Sequence, residues 1–391
     1  MGIVVTGVGL VSALGIGVEQ NIASIRRGES GICSSATILK TSNQLPVGEL
    51  HVTNEELHTA ANIPTREHLS RTALLGILAV KEALADAKVD TTKRIGLVSS
   101  TSVGGMDLTE HFFEKFLEND STGRLRDVRM HDCAASTNAI AQHCGINGYT
   151  TTLSTACSSA ANAIMVGAKL LKHDIVDYVV VGGSDALSAF TLNGFKSLMI
   201  LDENPCRPFD ANRAGLNLGE GAGYLVLQRE EDATSHYCRL AGYANRNDAH
   251  HQTASSAEGN GAYLAMEEAL RVAHLTSKDI SYINAHGTGT GNNDASESAA
   301  FIRLFGDEVP AFSSTKGFTG HTLAAAGGIE AVFSVLSIKE GYLYPNLNFE
   351  SPIPECGLIP LRQFKEGASV DCVLTNSFGF GGNCSSLVFT R

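Results

Sequence analysis

The sequence contains no tryptophan, and aromatic residues make up only 6% of its 391 residues. Positive charge is also scarce, because 29 lysines and arginines stand against 41 aspartates and glutamates, for a net charge of −12. A general nucleic-acid-binding protein needs a basic surface, so this balance argues against that class. No run of 18 or more apolar residues occurs, and the sequence therefore predicts no membrane-spanning helix.

Metal-binding and disulfide patterns are missing as well. The nine cysteines form no CxxC pair, and their number is odd. Neither a disulfide framework nor a zinc site is indicated, so we predict no metal ion and a cytoplasmic location. The glycine-rich segments match neither a GxGxxG nor a Walker A pattern, which argues against nucleotide binding.

Short apolar runs that end near glycine or serine predict buried strands. The runs are 95–98, 178–181, 224–227, 282–285 and 370–374. Such runs are typical of a mostly parallel sheet. Segments 71–87 and 262–275 have apolar residues three and four positions apart, which predicts helices. The alternation of the two kinds of segment predicts an α/β layered fold.

An internal similarity suggests two halves. The segments "GEGAGYLVLQR" (219–229) and "GFGGNCSSLVFTR" (379–391) each join a glycine turn to an apolar strand. The charged segment 229–237 separates them. We therefore predict two similar α/β halves, residues 1–230 and 231–391.

The stretch "YTTTLSTACSSAANAI" (149–164) places Cys157 between a β-rich run and a helix-like run of small residues. At a helix N-terminus, the helix dipole and free backbone N–H groups would lower the pKa of a thiol and could stabilise an oxyanion. The local sequence fits a buried structural cysteine equally well.

Two histidines in glycine-rich loops favour a catalytic role for Cys157. His286 directly follows the run 282–285, and ligands usually bind at the carboxyl ends of strands in open α/β sheets. His321 lies in a glycine turn, five residues after Lys316. Together the three side chains predict a Cys-His-His site. Phe380 lies between glycines and is either a movable gate or a core residue.

The segment 117–130 carries Arg124, Arg126 and Arg129. These arginines are either solvated surface charge or a small basic patch for a phosphorylated or acidic partner.

Six motifs in order resemble the β-ketoacyl-[acyl carrier protein] synthases of the elongating type. The match extends over nearly the whole chain. The motifs are "VVTGVGLVSALG", "STACSSAANAI", "RPFDANRAGLNLGEGAGYLVL", "NAHGTGTGNND", "STKGFTGHTLAAAGGIEA" and "NSFGFGG". The resemblance implies a thiolase-like fold with two similar βαβ halves in a layered α-β-α-β-α arrangement.

The resemblance also implies a reaction and no cofactor. Cys157 would accept an acyl group from an acyl carrier protein as a thioester. His286 and His321, as neutral imidazoles, would donate hydrogen bonds during decarboxylation of malonyl-carrier. The product would be a β-ketoacyl-carrier two carbons longer. The backbone N–H groups of Cys157 and Phe380 would form the oxyanion hole.

Further roles follow from the same resemblance. Lys316 would orient His321, the second histidine, and three acidic residues would position that lysine. These acids are Asp294, Glu297 and Glu330. Thr288 and Thr290 would hold the pantetheine arm of the carrier. The protein would be a homodimer, and the three arginines of segment 117–130 are candidates for carrier docking.

One departure and two alternatives remain. The family usually has Thr-Asn after GFGG, whereas this chain has Asn383-Cys384, so acyl length and the choice between fatty-acid, polyketide and aryl-polyene pathways stay open. A thiolase acting on coenzyme A esters would need a second catalytic cysteine, for which Cys384 is the candidate. A non-catalytic or partner-dependent subunit is the other alternative, although the non-catalytic kind would lack the nucleophile that Cys157 provides here.

Overall fold

The computed structural model describes residues 2–391, which fold into thirteen strands and twelve α-helices. The strands are β1 (Ile3–Ser12), β2 (Gly15–Ile16), β3 (Ile32–Cys33), β4 (Val47–Gly48), β5 (Ile95–Ser100), β6 (Thr150–Leu153), β7 (Tyr178–Asp185), β8 (Gly221–Arg229), β9 (Cys238–Asn247), β10 (Tyr282–Asn284), β11 (Ala311–Ser313), β12 (Cys372–Gly379) and β13 (Asn383–Thr390). The helices are α1 (Val18–Arg26), α2 (Asn54–Ala60), α3 (Arg71–Asp86), α4 (Met106–Glu118), α5 (Leu125–Val128), α6 (Cys133–His143), α7 (Ser159–Lys172), α8 (Ala189–Ser197), α9 (Asn260–Ala273), α10 (Gly291–Phe305), α11 (Lys316–Thr319) and α12 (Ala326–Glu340).

The main sheet has the strand order β11-β10-β12-β13-β9-β1-β8-β7-β5-β6, with β2 paired to β1. The first half contributes β1, β8, β7, β5 and β6, and the second contributes β9, β13, β12, β10 and β11, each in the same relative order. The halves join where Val4 pairs with Arg239 and Val5 with Cys238. The exact boundary at 230 stays a prediction.

The five predicted apolar runs all overlap strands, namely β5, β7, β8, β10 and β12. The prediction of a mostly parallel sheet is wrong. Only β5 with β6 and β7, and β10 with β11 and β12, pair in parallel, whereas β8 and β13 pair antiparallel with both their neighbours. An apolar run records burial on both faces of a strand, and it carries no information on strand direction.

The helices form three layers around the two halves of the sheet. Helix α3 packs on the outer face of the first half, and α9 packs on the outer face of the second. Helices α7 and α12 lie between the halves and contact strands of both. Helix α12 is accordingly buried from Ala326 to Ile338. This is the α-β-α-β-α arrangement that the resemblance implies.

A close glycine contact sets the position of α12. A Cβ added at Gly328 would lie 2.3 Å from the backbone oxygen of Gly223 on β8. No side chain fits between them, so the helix lies directly against the strand. Glu330, two residues further along α12, is thereby brought into the interior beside the candidate site.

Between residues 2 and 391, no helix is both long enough and apolar enough to cross a lipid bilayer.

Candidate active site

Cys157 lies on a tight turn between β6 and α7. Ala156 has a left-handed backbone with φ of 52°, which is a strained conformation for a residue with a Cβ. Side-chain hydroxyls fix the turn. Ser158 Oγ donates to the Thr155 carbonyl at 2.8 Å, and Ser159 Oγ donates to the Ala156 carbonyl at 2.5 Å. The thiol is therefore held just before the first turn of α7, as the sequence predicts.

The two histidines meet Cys157 in the interior. His321 Nε2 lies 3.0 Å from Cys157 Sγ. The rings of His286 and His321 have centroids 5.5 Å apart and are nearly perpendicular. All three side chains are buried, and they line one cavity. The structure thus brings together residues that lie far apart in the sequence.

Glu297 on α10 fixes the loop that carries His286. Its carboxylate accepts hydrogen bonds from the backbone N–H groups of His286 and Gly287, both at 2.9 Å, and from Asn376 Nδ2 at 3.1 Å. Burial raises the pKa of Glu297 to about 7, while these donors oppose that rise. Glu297 therefore positions His286 and does not contact Lys316.

Lys316 orients His286, so the prediction that it orients His321 is wrong. Its Nζ donates to the His286 carbonyl at 2.6 Å, lies 3.3 Å from His286 Nδ1, and pairs with Glu330 Oε1. The reason is topological. His286 and Lys316 follow the adjacent parallel strands β10 and β11, so they meet at one sheet edge, whereas His321 lies beyond α11.

The other predicted side chains belong to the loop after His286. Asp294 accepts from the backbone N–H groups of Phe209 at 2.7 Å and Gly289 at 3.1 Å. It therefore shapes this loop, and among the three predicted acids only Glu330 contacts Lys316. The hydroxyls of Thr288 and Thr290 lie 2.9 Å apart, and both residues line the cavity.

Burial decides the protonation states in the site. It raises the pKa of the Cys157 thiol to about 11, although the Lys316 charge and the backbone N–H of Phe380 lower it. The prediction of a lowered thiol pKa is therefore wrong, because desolvation outweighs the helix terminus. Burial and the Lys316 charge hold the pKa values of His286 and His321 well below their ordinary value. At neutral pH the site contains a thiol and two neutral imidazoles.

Phe380 forms part of the cavity wall. Its half-buried ring stacks on Phe195 of α8 with centroids 5.9 Å apart. Gly381 and Gly382 follow with φ of 80° and 76°, left-handed values that glycine adopts without strain. The ring is thus packed against one neighbour and is followed by two residues with an unusually free backbone.

Sequence reasoning missed three residues at the site. Phe195 had no local signal, because its partner is distant in the sequence. Asn376 is the first residue of the "NSFGFGG" motif, but the motif indicated no role for its side chain. Asp185 had a local signal, because it stands four residues after the end of the predicted strand run 178–181. Its buried carboxylate accepts from the backbone N–H groups of Ser102 at 2.9 Å and Ala324 at 2.8 Å, which ties the loop after β5 to the segment after His321.

The three predicted docking arginines lie away from this cavity. Arg124, Arg126 and Arg129 are exposed on and beside α5, and none of them lines the cavity. Arg129 donates to the Glu67 carbonyl at 3.1 Å. The structure therefore places them on the surface without assigning them a function.

No group of three or more His, Cys, Asp and Glu side chains within residues 2–391 is arranged to hold a metal ion. The arrangement that is present can do acyl-transfer chemistry. A buried thiol faces a neutral imidazole that can take its proton, and a second imidazole with an ammonium group behind it can donate hydrogen bonds to developing negative charge.

These features define a cysteine-dependent acyl-transfer site on a thiolase-like fold. The chain belongs to the β-ketoacyl synthase family. The family model described as "Beta-ketoacyl synthase, N-terminal domain" matches residues 1–233, and the model for the C-terminal domain matches residues 237–350.

Known proteins resemble the chain over its full length. The "3-oxoacyl-[acyl-carrier-protein] synthase 2" of Staphylococcus aureus is 33% identical, with 100% of this chain and 98% of that protein covered. The solved ishigamide ketosynthase/chain length factor has a TM-score of 0.93 at 28% identity, covering 100% and 99% of the two chains. A further match is a chain from the solved complex of a type II acyl-carrier protein with its hexaketide-bound ketosynthase. It has a TM-score of 0.88 at 25% identity, and the match covers 100% of this chain and 99% of that chain.

Proposed function

We propose that this protein is a β-ketoacyl-[acyl carrier protein] synthase that condenses malonyl-carrier with an acyl group held on Cys157. The observation that carries the assignment is the contact between Cys157 Sγ and His321 Nε2 at 3.0 Å, with His286 and Lys316 beside it. The reaction extends the acyl chain by two carbons, as in fatty-acid synthesis or a related polyketide or aryl-polyene pathway.

Acylation of the enzyme is the first half-reaction. The sulfur of Cys157 attacks the thioester carbonyl of the acyl-carrier, and its proton passes to His321 Nε2. The sulfur–carbon bond of the carrier thioester breaks, and the departing carrier thiolate takes that proton from His321. Because the pKa of Cys157 is raised to about 11, this proton transfer is needed at neutral pH.

Condensation is the second half-reaction. Decarboxylation of malonyl-carrier breaks a carbon–carbon bond, releases CO₂ and leaves an enolate with its charge on the thioester oxygen. The Lys316 ammonium donates to His286 Nδ1, so the proton of this neutral ring lies on Nε2 and can be donated to that oxygen. Once Cys157 is acylated, His321 Nε2 no longer faces a thiol proton and can carry its own as a second donor.

The enolate carbon then forms a bond with the acyl carbonyl on Cys157. The sulfur–carbon bond of that thioester breaks, and the Cys157 thiolate recovers a proton from solvent. Backbone N–H groups of Cys157 and Phe380 stabilise the oxyanion in this step. This role is supported by their effect on the Cys157 thiol, whose pKa both groups lower. Thr288 and Thr290 hold the pantetheine arm in the cavity that they line.

The assignment is tested with acyl-carriers of several lengths, malonyl-carrier and the purified protein, by mass spectrometry of the carrier. We expect a β-ketoacyl-carrier two carbons longer, and no such product with Cys157→Ala. If the intact, folded protein makes no product at any chain length, catalysis by this chain alone is excluded.

The thiolase alternative is disfavoured by the environment of Cys384. This cysteine lines the cavity but is buried on β13, and burial raises the pKa of its thiol to about 12. A thiol of that pKa is a poor catalytic base near neutral pH. The partner-dependent alternative would give no product alone and would give product when a second subunit is added.

We also propose that the protein is a homodimer. Strand β6 lies at the edge of the sheet, where one side of its backbone has no neighbouring strand. Tyr149, which directly precedes β6, is exposed, and apolar side chains of α4 and α5 are exposed as well, among them Phe113, Leu117 and Leu125. An open edge with exposed apolar residues is a surface that a second copy can cover.

For carrier docking we propose Arg124, Arg126 and Arg129, supported by their exposure and by the anionic phosphopantetheine group that a carrier presents. Reversing the charge of Arg124 and Arg126 is expected to raise KM for the carrier. An unchanged KM would remove these residues from the proposal.

We propose a cytoplasmic location, supported by nine unpaired cysteines. Recovery of the protein in a membrane or secreted fraction would contradict it.

A further inference from the structure

We infer that Asn162 is a positioning residue that fastens the Cys157 turn to strand β13, so that the nucleophile stays in place when the adjoining glycine loop moves. The inference rests on the proposed function, since it concerns acylation of Cys157. It is carried by a continuous chain of hydrogen bonds that joins the "STACSSAANAI" motif to strands β9 and β13.

One end of this chain holds the nucleophile turn. Asn162 lies in the second turn of α7, and its Nδ2 donates to Thr155 Oγ1 at 2.8 Å and lies 3.4 Å from Ser158 Oγ. Thr155 and Ser158 flank Cys157 and the left-handed Ala156. A left-handed residue with a Cβ is strained, and this conformation persists only where surrounding contacts enforce it. The Asn162 amide is such a contact.

The other end is anchored in the second half of the sheet. Asn162 Oδ1 accepts from Ser385 Oγ at 2.9 Å and from Asn245 Nδ2 at 3.2 Å. Asn245 also donates to Ser385 Oγ at 2.8 Å, and the two residues are paired across β9 and β13. A single amide therefore connects the nucleophile turn to two paired strands.

The anchor lies on the fixed side of the glycine loop. Gly381 and Gly382 have left-handed backbones and immediately precede β13. A rotation at these two glycines moves Phe380 and leaves Ser385 in the sheet. Since Asn162 is hydrogen-bonded to Ser385 and not to the loop, movement of the Phe380 ring leaves this anchor of the Cys157 turn in place.

The departure from the usual family sequence lies at the same place. Asn383 is the first residue of β13, and its Oδ1 lies 3.5 Å from Asn245 Nδ2. Asn383 thus extends this hydrogen-bond chain toward the loop. Cys384, by contrast, is buried and faces the cavity.

The test compares Asn162→Ala with Asn147→Ala as a matched control. Asn147 accepts from the Ile95 N–H at 2.9 Å and donates to the Lys93 carbonyl at 3.0 Å, away from the site. Single-turnover acylation of Cys157 by acyl-carrier is followed by mass spectrometry. We expect a loss of about tenfold to a hundredfold in Asn162→Ala, since a small displacement of a reacting group has effects of that size. The KM of Asn162→Ala for the carrier is expected to stay within twofold of the wild-type value. The acylation rate of the control Asn147→Ala is also expected to stay within twofold of the wild-type rate.

Two further variants separate positioning from simple stability. In Asn162→Asp a carboxylate replaces the amide beside Thr155 and Ser158, the residues that flank Cys157, so the pH profile of Cys157 alkylation by iodoacetamide should shift to higher pH. Ser385→Ala combined with Asn162→Ala should cost less than the product of the two single effects, because both break the same contact.

The inference is overturned if Asn162→Ala acylates at the wild-type rate, or if Asn147→Ala loses as much. If no carrier or coenzyme A ester acylates even the wild-type protein, the proposed function fails instead. Alkylation of Cys157 needs no carrier and can then still test the inference. The inference is excluded if wild type, Asn162→Ala and Asn162→Asp show identical alkylation rates and pH profiles.

Discussion

At the scale of single residues, the protonation state of Cys157 governs the chemistry. The thiol lies just before a helix, yet its pKa is raised to about 11 because burial outweighs the nearby positive charge and N–H donors. Cys157 is therefore a neutral thiol at rest, and in the proposed mechanism the adjacent His321 takes its proton.

This gives a prediction for pH dependence. A thiol reacts as its thiolate, so with a pKa near 11 the alkylation rate of Cys157 should rise about tenfold per pH unit between pH 7 and 9 without a plateau. The rate is measured with iodoacetamide and peptide mass spectrometry, which distinguishes Cys157 from the other eight cysteines. Cys157→Ser serves as the control. A plateau at or below pH 7.5 would mean that the thiolate is already formed at rest.

The sequence predicted a set of reactive residues but not how they contact one another. Cys157, His286 and His321 could be found because each stands in a distinctive glycine- or serine-rich context. The histidine that Lys316 contacts could not be predicted from the sequence, because this contact depends on β10 and β11 being adjacent and parallel. The direction of the Cys157 pKa shift depends on burial by residues from both halves, which a local segment does not reveal.

At the scale of secondary-structure elements, the contact between α12 and β8 places Glu330 behind Lys316. Gly328 faces the backbone of Gly223, where an added Cβ would lie 2.3 Å from the carbonyl oxygen. A backbone atom cannot rotate aside as a side chain can, so the helix itself must move if this glycine is replaced.

We therefore predict that Gly328→Ala lowers the free energy of unfolding by about 1–3 kcal/mol and reduces acylation activity by displacing Glu330. Gly194→Ala is the matched control, because Gly194 lies within α8 and has no atom within 4 Å of an added Cβ. This control should be neutral or more stable by about 0.5–1 kcal/mol. For both variants, urea unfolding measures the free energy of unfolding, and initial rates measure the acylation activity. Equal stability of the two variants would contradict the account of the α12 contact.

The elements themselves were largely predictable. All five apolar runs overlap strands, and the helices predicted at 71–87 and 262–275 are α3 and α9 within two residues. The direction of β8 was not predictable, because it returns antiparallel to β7 after a long excursion, and an apolar pattern is the same in either direction. Strand β13 follows β12 after only residues 380–382, a short connection that is typical of an antiparallel pair.

At the scale of the whole molecule, the two halves have equivalent strand orders around the shared layer of α7 and α12. The catalytic set is divided between them, with Cys157 from the first half and the histidines from the second. Neither half alone contains the site, and the sequence suggested this division through its repeated glycine-strand ending.

The open edge of β6 leads to a prediction about assembly. Sedimentation equilibrium of the purified protein should give a mass of twice 41.2 kDa. Replacing Leu117 and Leu125, which are 70% and 78% exposed, with serine should weaken the dimer. Replacing Ile359, which is 64% exposed on another part of the chain, should not. A monomer at micromolar concentration would point to a partner subunit in place of a second copy.

The most direct test of the central claim is peptide mass spectrometry of the protein after incubation with acyl-carriers, with and without malonyl-carrier. The account predicts an acyl group on Cys157 when malonyl-carrier is omitted. It also predicts that the group is lost, with release of a β-ketoacyl-carrier two carbons longer, when malonyl-carrier is added. If Cys157 stays unmodified with every carrier and coenzyme A ester while the protein is folded, the role of Cys157 as the acyl-accepting nucleophile is wrong.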